Sequence, residues 1–333
     1  MIKSRHIRSP SPVFFSILVS AIFTFATAVR GDVVARYGGE FMAPGGGART
    51  LAMGGACTAL SGDAWSIFRN PAGLSGMGSI SLALMHSERF AGVVDYDAAA
   101  IALPRPDGVV LGVGLVRLGV NGIPFTRLED PGAPLSEGNR VEIDKVVNDG
   151  EYAFYFAEAR TFRRWRWGVA PKLIFKHIGT EYRAYGLGVD AGIGGKPLPA
   201  YPVEIGAAFK DLLGTVLAWE QTGHKEVIAP TVHLGIAATF AIPPLEAEVT
   251  PTADIAYRTE VIGGSDAAAL HFGLEYTIRK VVALRIGSDD DRLTFGGGIN
   301  LKPVSINYAF IGHSELGDTH RVSLDVRWER SGR

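Results

Sequence analysis

Apolar residues alternate with polar or small residues along most of the chain from about residue 79 onward. A period of two is that of a β-strand with two unlike faces. The same period recurs in about fourteen segments, so the sequence predicts an all-β fold. In the last segment one face carries Val322, Leu324, Val326 and Trp328, and the other carries Arg321, Ser323, Asp325 and Arg327.

The connections between the predicted strands fall into two length classes. With the strands numbered in order, most even-to-odd connections are tight turns, such as the one at 163–164. Short turns on one side, long loops on the other and an even strand number are typical of bacterial outer-membrane barrels. The odd-to-even connections include the long ones, at 119–149, 213–229, 258–266 and 313–319.

Two architectures produce strands of this kind. A soluble sandwich or propeller buries its apolar faces, whereas an outer-membrane barrel turns them to lipid and places aromatic residues near the strand ends. Aromatic side chains on the apolar faces favour the barrel. We therefore expect a transmembrane antiparallel β-barrel of about fourteen strands over residues 79–333, with the soluble fold as the alternative. The aromatic residues are Trp167, Tyr276, Tyr308 and Trp328.

The first 28 residues have the three parts of an export signal. A basic stretch ends at Arg8, an apolar stretch covers 13–25, and Ala26-Thr27-Ala28 is a small-x-small cleavage site. An uncleaved anchor helix is the alternative, but the apolar stretch is short for one. The sequence thus predicts export, with a mature protein that begins near Val29.

Composition excludes several classes of function. Lys and Arg total 33 against 34 for Asp and Glu, which leaves no positive excess for binding nucleic acid. The single cysteine, Cys57, can form neither an internal disulfide nor a multi-cysteine zinc site. The 42 glycines, about one residue in eight, concentrate before Leu74 and on the polar faces of the strands. Small inward residues would leave room for a plug inside the barrel.

Residues 45–74 read GGGARTLAMGGACTALSGDAWSIFRNPAGL and do not alternate. The glycines suit tight turns around short helices, one of which Asp63 would cap over 64–69 before Pro71 ends it. The segment resembles the start of the PorV/PorQ outer-membrane family, which shares GAR-x-x-x-MGGA followed by D-A-x-x-x-x-x-NPAGL. It is also similar to the hatch of the FadL long-chain fatty-acid transporters, where an Asn-Pro-Ala motif lies in a plug inside a fourteen-stranded barrel.

This resemblance implies a hatch over residues 29–78, before the barrel. A Pro-stiffened turn and an Asn side chain that bonds free backbone groups suit a segment folded inside a narrow lumen. The alternative is that NPAGL merely ends a helix and starts the first strand. Cys57 departs from the larger apolar residue of many relatives. The hatch motif carried over to this chain comprises Gly54, Gly55, Asp63, Asn70, Pro71, Ala72 and Gly73.

Charged residues of both signs fall on the face predicted to line the lumen. Mixed signs favour internal ion pairs and bonds to the plug over an ion-selective pore. Glu204 with Glu246 and Glu248, or His233 with His271, are weaker candidates for acid-base or metal chemistry. The predicted inward set is Lys172, Lys176, Asp190, Glu204, Lys210, His233, Glu246, Glu248, Asp254, His271, Glu275, Arg285, Asn300, Asn307, Arg321, Asp325 and Arg327.

Other motifs add little. Acidic residues 289–291 are typical of a solvated turn, the glycines of 188–195 lack the context of a nucleotide site, and the basic and aromatic residues 163–167 fit a turn with interfacial anchors. No hydrolase, zinc-protease or phosphate-loop motif occurs. We therefore expect no enzyme activity, no cofactor and no metal site.

The resemblance implies one of two functions in the bacterial outer membrane. The first is a FadL-like channel for hydrophobic small molecules such as long-chain fatty acids, with the apolar loop at 212–219 in ligand capture. The second is a PorV-like docking component of a secretion and surface-attachment system, with loop 119–149 contacting a protein partner. A soluble secreted β-protein is a third possibility. The expected partners are membrane lipids with either a fatty-acid-like ligand or secretion proteins, and no nucleic acid.

Overall fold

A computed structural model describes residues 33–34, 39–90, 92–258, 267–312 and 317–328. The predicted signal peptide at 1–28 lies outside the described residues. None of the helices in these ranges is long and apolar enough to cross a membrane.

The chain forms one closed antiparallel barrel of fourteen strands, which confirms the expected fold. Each strand pairs with the next along the chain, and the last pairs with the first. The strands are β1 Ile80–Arg89, β2 Val94–Pro104, β3 Val109–Leu128, β4 Val141–Phe162, β5 Trp165–Ile178, β6 Tyr182–Gly195, β7 Val203–Lys210, β8 Thr231–Ala238, β9 Ala247–Arg258, β10 Ala267–Ile278, β11 Val282–Asp289, β12 Arg292–Leu301, β13 Val304–Ile311 and β14 Thr319–Trp328. A short strand, Phe240–Ile242, continues β8 beside β9.

The barrel wall is polar inside and apolar outside. Along β14 the side chains of Arg321, Ser323 and Asp325 are buried, whereas Val322 is 50% exposed and Leu324 is 36% exposed. A soluble sandwich would bury those apolar side chains instead. The fold is therefore not a sandwich, and its exposed apolar face is the arrangement expected of a membrane barrel.

The two ends of the barrel differ. Connections such as Arg163–Arg164 and Lys302–Pro303 lie at one end, the turn end, and the long connections 129–140 and 211–230 lie at the other, the loop end. Residues 259–266 and 313–316, in the other two connections expected to be long, lie outside the described residues. One expected loop is different: most of 119–149 continues β3 and β4 as a paired hairpin, and only 129–140 connects them. The local alternation of Ile123 and Phe125 with polar residues is weak, because this part of the hairpin has exposed residues on both faces.

A second hairpin follows β7 at the loop end. Its strands Thr215–Trp219 and Lys225–Ile228 pair with each other, and the first also pairs with β6. Val33–Val34 adds to the second strand in parallel. We call residues 215–228 the loop hairpin. It places the start of the described chain at the loop end, whereas β1 begins at the turn end.

Between these two points the chain forms the N-terminal segment, residues 39–79. It contains helix α1 Ala48–Ala52, helix α2 Ser66–Arg69 and a 3-10 helix Pro71–Gly76. Asp63 accepts a hydrogen bond from the Ser66 amide at 3.0 Å, so the carboxylate caps α2 as expected, although the helix starts two residues later than predicted. The aliphatic side chains of Ile67 and Leu74 are fully buried.

Candidate functional site

The N-terminal segment lies inside the barrel. It touches an inward-facing residue on each of the fourteen strands, which is possible only for a segment within the lumen. In strand order these wall residues are Met85, Tyr96, Gly112, Tyr155, Gly168, Gly192, Lys210, Gly235, Asp254, Gly273, Gly287, Thr294, Ala309 and Ser323.

The Asn-Pro-Ala motif is seated against β5 and β6. The buried Asn70 amide donates to Thr58 O at 2.8 Å and to Ile193 O of β6 at 3.1 Å, and its Oδ1 accepts from Ala72 N at 3.1 Å. Gly168 faces the same turn, and a Cβ there would lie 2.6 Å from Ala72 N. The motif thus ends α2, as the alternative interpretation requires, and also bonds the wall.

The Gly54-Gly55 pair is seated on the opposite side of the lumen. Gly54 adopts a left-handed conformation, with φ at 61°, and donates its amide to Thr294 Oγ1 at 3.1 Å. A side chain at Gly54 would overlap backbone oxygens of β10 and β11. Gly55 faces His271, whose Nδ1 lies 2.9 Å from Gly54 O. The remaining motif glycine, Gly73, packs against Ser66 within the segment.

An ionic network joins α1 to β10 and β11. The Arg49 guanidinium donates to both carboxylate oxygens of Glu275, at 2.9 and 2.7 Å, and lies 3.4 Å from Asp63. Arg285 donates to the same carboxylate at 2.6 Å and to Asn307 at 2.9 Å. Two cations share one buried carboxylate, so each side chain of this network depends on its neighbours.

A second network joins α2 to β5, β6 and β7. Lys172 lies 2.8 Å from Asp190 and 2.7 Å from Asp211, and Lys210 pairs with the other oxygen of Asp190. Lys210 also donates to Phe68 O, the carbonyl of an α2 residue, at 2.8 Å. The Asp211 amide donates to Asp190, which fixes the start of the loop that carries the loop hairpin.

Aromatic side chains also pack between α2 and the barrel wall. Phe68 of α2 meets Tyr155 edge to face, with ring centroids 5.1 Å apart, and both side chains are buried. Trp65 packs beside Phe68. Gly114 of β3 lies under Phe68, where a Cβ would be 2.9 Å from the ring. The inward glycines therefore make the room that the sequence analysis expected.

Above the N-terminal segment, at the loop end, lies a cavity of about 850 Å³. Its apolar lining includes Phe41, Met42, Leu118 and Ile228. Its polar lining includes Arg69, His233, His271 and Arg321. Acidic side chains such as Glu40 and Asp290 also line it. The cavity therefore presents hydrocarbon together with charged groups of both signs, which suits an amphipathic molecule.

Arg321 is a deeply buried cation of this cavity. It is 2% exposed, makes only long bonds of 3.4 Å to the carbonyls of Pro44 and Gly47, and faces the ring of Tyr96. Among the described residues no carboxylate lies within ion-pair distance of its guanidinium, and Nε has no hydrogen-bond partner. This guanidinium is available to an anionic group.

The structure brings together most of the predicted inward residues. Lys176 pairs with Glu151 at 2.7 Å, Glu204 with Arg166 at 2.7 Å, and Asp254 accepts from Thr58 N at 2.8 Å. One prediction is wrong: Glu246 lies in the turn before β9 in a left-handed conformation, so it is not on the inward face. Asn300 and Arg327 have inward parity but are exposed near the turn end.

The structure does not support acid-base or metal chemistry at the glutamate and histidine groups considered in the sequence analysis. Glu204 and Glu248 have separate basic partners, Arg166 and Lys280, and Asp289 pairs with His271 and Arg292. Within the described ranges no group of three or more His, Cys, Asp or Glu residues could hold a metal ion.

The sequence analysis missed Arg49. It included Arg321, but only as one of many residues predicted to face the lumen. The available signal for Arg49 was its place in a segment expected inside the lumen, where a buried cation requires an acidic partner on the wall. The identity of that partner, Glu275, depends on strand azimuth, which the sequence does not contain.

Comparison with known proteins bears on the fold. No protein-family model matches the sequence, and no curated protein matches it. The toluene transporter TbuX of Ralstonia pickettii has a similar structure, with a TM-score of 0.55 and 14% sequence identity over 86% of this chain and 99% of the transporter. The P. putida toluene transporter TodX gives 0.57 and 13% over the same shares. A Pseudomonas aeruginosa FadL homologue gives 0.53 and 9%, over 86% and 98%.

These likenesses confirm a FadL-like barrel fold. The similar structures are two toluene transporters and a FadL homologue. The PorV/PorQ resemblance and the fatty-acid ligand remain predictions.

Proposed function

We propose that this protein is a bacterial outer-membrane channel for the uptake of hydrophobic small molecules such as long-chain fatty acids, and that residues 29–78 form its hatch. The observation that carries this proposal is the loop-end cavity, which is closed below by the N-terminal segment. A ligand that enters from the loop end meets that segment before it can reach the turn end.

The lining of the cavity supports an amphipathic ligand. The guanidinium of Arg321, which has no carboxylate partner among the described residues, is complementary to a carboxylate, while Phe41, Met42 and Leu118 offer contact to an alkyl chain. Leu212 and Leu213, beside the loop hairpin, are 41% and 52% exposed and would make the first contact with such a molecule at the loop end. Passage then requires the hatch to shift, because it touches every strand of the wall.

Uptake measurements test the proposal. Cells that lack the protein should take up labelled long-chain fatty acid more slowly than complemented cells. Replacing Asn70, Pro71 and Ala72 together should change uptake while the barrel still assembles, as shown by heat-modifiable mobility on gels. Equal uptake with and without the protein, for fatty acids and for monoaromatic hydrocarbons, would refute the channel.

Arg321→Met separates ligand classes. It should weaken binding of a fatty acid by about tenfold, because a charge-assisted bond is lost, and leave binding of an uncharged alkane unchanged. Arg321→Lys should retain most of the fatty-acid binding. Equal loss for both ligands would indicate a general packing defect instead of carboxylate recognition.

One observation favours the second candidate function, a PorV-like docking component. The β3–β4 hairpin extends beyond the neighbouring strands and exposes Val141, Ile143 and Val146 at 55 to 63%. Such a projecting apolar surface is typical of protein contacts. Removal of residues 123–146 should abolish partner capture if docking is the function, and should leave fatty-acid uptake intact if transport is.

A further inference from the structure

Three polar side chains lie side by side on the outward face of β1, β2 and β3. The ladder pairs His86 with Asp97 and Asp97 with Arg117. His86 Nδ1 lies 2.8 Å from Asp97 Oδ1, and Arg117 Nη1 donates to Asp97 Oδ2 at 2.8 Å. Asp97 thus holds an imidazole and a guanidinium in one row on the outward face.

An apolar groove lies directly below this row, toward the turn end. The next outward layer of the same strands is Leu84, Ala99 and Leu115, and the small Ala99 leaves a depression between the two leucines. The groove has a volume of about 430 Å³ and is bounded on the β14 side by Val322 and Leu324. The β2–β3 ladder is continuous from end to end, so the groove is a feature of the outer surface and no gap between these strands opens it to the lumen.

Two acidic side chains lie directly above the row, toward the loop end. Glu88 and Asp95 are cross-strand partners on the same outward face. Asp95 accepts a bond from Asn121 at 3.2 Å. The cross-strand neighbour of Glu88 on β14 is His320, and among the described residues Glu88 forms no ion pair. Successive outward layers are about 7 Å apart along a strand. The face therefore presents, in order, an apolar groove, a row in which the nitrogen groups of His86 and Arg117 flank Asp97, and an acidic pair.

We propose that this face binds one zwitterionic phospholipid that carries a phosphate and a primary amine. An acyl chain occupies the groove over Ala99, the phosphate accepts from Arg117 and His86, and the ammonium group lies against Glu88 and Asp95. The order of charges matches that of such a headgroup, with the phosphate nearer the hydrocarbon and the amine outermost. An anionic lipid without an amine would place its headgroup beside two uncompensated carboxylates.

This proposal is independent of what the lumen carries. It requires only that the outward face contact lipid. The bound lipid is a resident of the barrel exterior, and it is distinct from any cargo in the loop-end cavity.

Native mass spectrometry of the full-length, delipidated protein in detergent tests the proposal. Phosphatidylethanolamine and phosphatidylglycerol with identical acyl chains are added in turn. We expect one phosphatidylethanolamine per barrel, retained about tenfold better than phosphatidylglycerol. Glu88→Gln with Asp95→Asn should remove this preference, Arg117→Gln should weaken both lipids, and Ala99→Phe should weaken both by filling the groove.

Matched substitutions elsewhere on the outward face control for general effects. Ala253→Phe adds the same volume to the outward face of β9, and Arg160→Gln breaks a similar outward pair with Glu158 at the turn end. Both should leave lipid retention unchanged, and every variant should keep heat-modifiable mobility. Equal or better retention of phosphatidylglycerol would overturn the proposal, as would retention that Ala99→Phe does not alter. A lipid-free dimer that Ala99→Phe disrupts would assign the groove to a second copy of the chain.

Discussion

The side-chain amide of Asn70 occupies the space that a side chain at Gly192 would need. A Cβ at Gly192 would overlap Asn70 Oδ1, and the same amide donates to the carbonyl of the next residue on β6, Ile193. The two positions are 122 residues apart in the chain. The fit between the N-terminal segment and strand β6 therefore depends on both residues: the Asn70 side chain on the segment and the missing side chain at Gly192 on the wall.

We predict that Gly192→Ala loosens the N-terminal segment. The added methyl group must displace Asn70, whose three hydrogen bonds join the segment to itself and to β6, at a cost of about 2 kcal/mol. In planar bilayers the variant should show larger and more frequent conductance steps than the unmodified protein, because the segment fills the lumen less completely.

Gly297→Ala is the matched control. Gly297 is also a strand glycine, but a Cβ there meets its nearest atom at 3.4 Å, which is ordinary contact. It should conduct like the unmodified protein. Indistinguishable conductance of both variants would mean that the segment does not limit the pore.

The sequence predicted the barrel well because alternation is a local property. Every outward side chain of β14, from Val322 to Trp328, follows from the period of two and the identity of its neighbours. The Asn-Pro-Ala motif was found because its residues are contiguous. The position of the motif against the wall was not predicted, because the contact of Asn70 with Gly192 depends on which strand lies at which azimuth around the barrel.

The extended β3–β4 hairpin shows the limit of the pattern. Residues 119–149 were interpreted as a loop because neither face of the hairpin is consistently apolar, although Arg127 pairs with Glu142 across it at 2.9 Å. The turn position of Glu246 was missed because the alternation of inward and outward side chains holds only within a strand. The 3-10 helix Pro243–Leu245 interrupts that alternation just before Glu246.

We predict that Glu275→Gln destabilises the protein by about 3 kcal/mol. The substitution leaves the buried Arg285 and the partly buried Arg49 without their shared carboxylate, and an uncompensated buried charge is costly. Denaturant-induced loss of heat-modifiable mobility measures the change. Glu246→Gln removes an acidic partner from an exposed pair with Arg279 and should change stability by less than about 0.5 kcal/mol. Similar effects of the two substitutions would contradict the importance of the network.

We predict strong coupling between Asp190 and Lys172. Asp190→Asn alone leaves two lysines to share one carboxylate, that of Asp211, whereas the double variant with Lys172→Met leaves a single lysine beside it. The double variant should therefore be more stable than Asp190→Asn by about 1 to 3 kcal/mol. Additive losses in a denaturation cycle would show that the two side chains act independently. The exposed pair of Lys145 with Glu181 is the control cycle and should show almost no coupling.

The thiol of Cys57 should react slowly although it is only partly covered. Burial raises its pKa to about 12, so the thiolate, which is the reactive form, is scarce at neutral pH. Compared with an ordinary cysteine of pKa about 8.5, alkylation by iodoacetamide at pH 8 should be slower by on the order of a thousandfold, and its rate should rise about tenfold per pH unit up to pH 11. Mass spectrometry of timed samples measures the rate, with denatured protein as the reference.

A long-chain fatty acid that shifts the N-terminal segment should speed the reaction by hydrating this site. Reaction of the folded protein at the denatured rate would show that the segment does not shield Cys57.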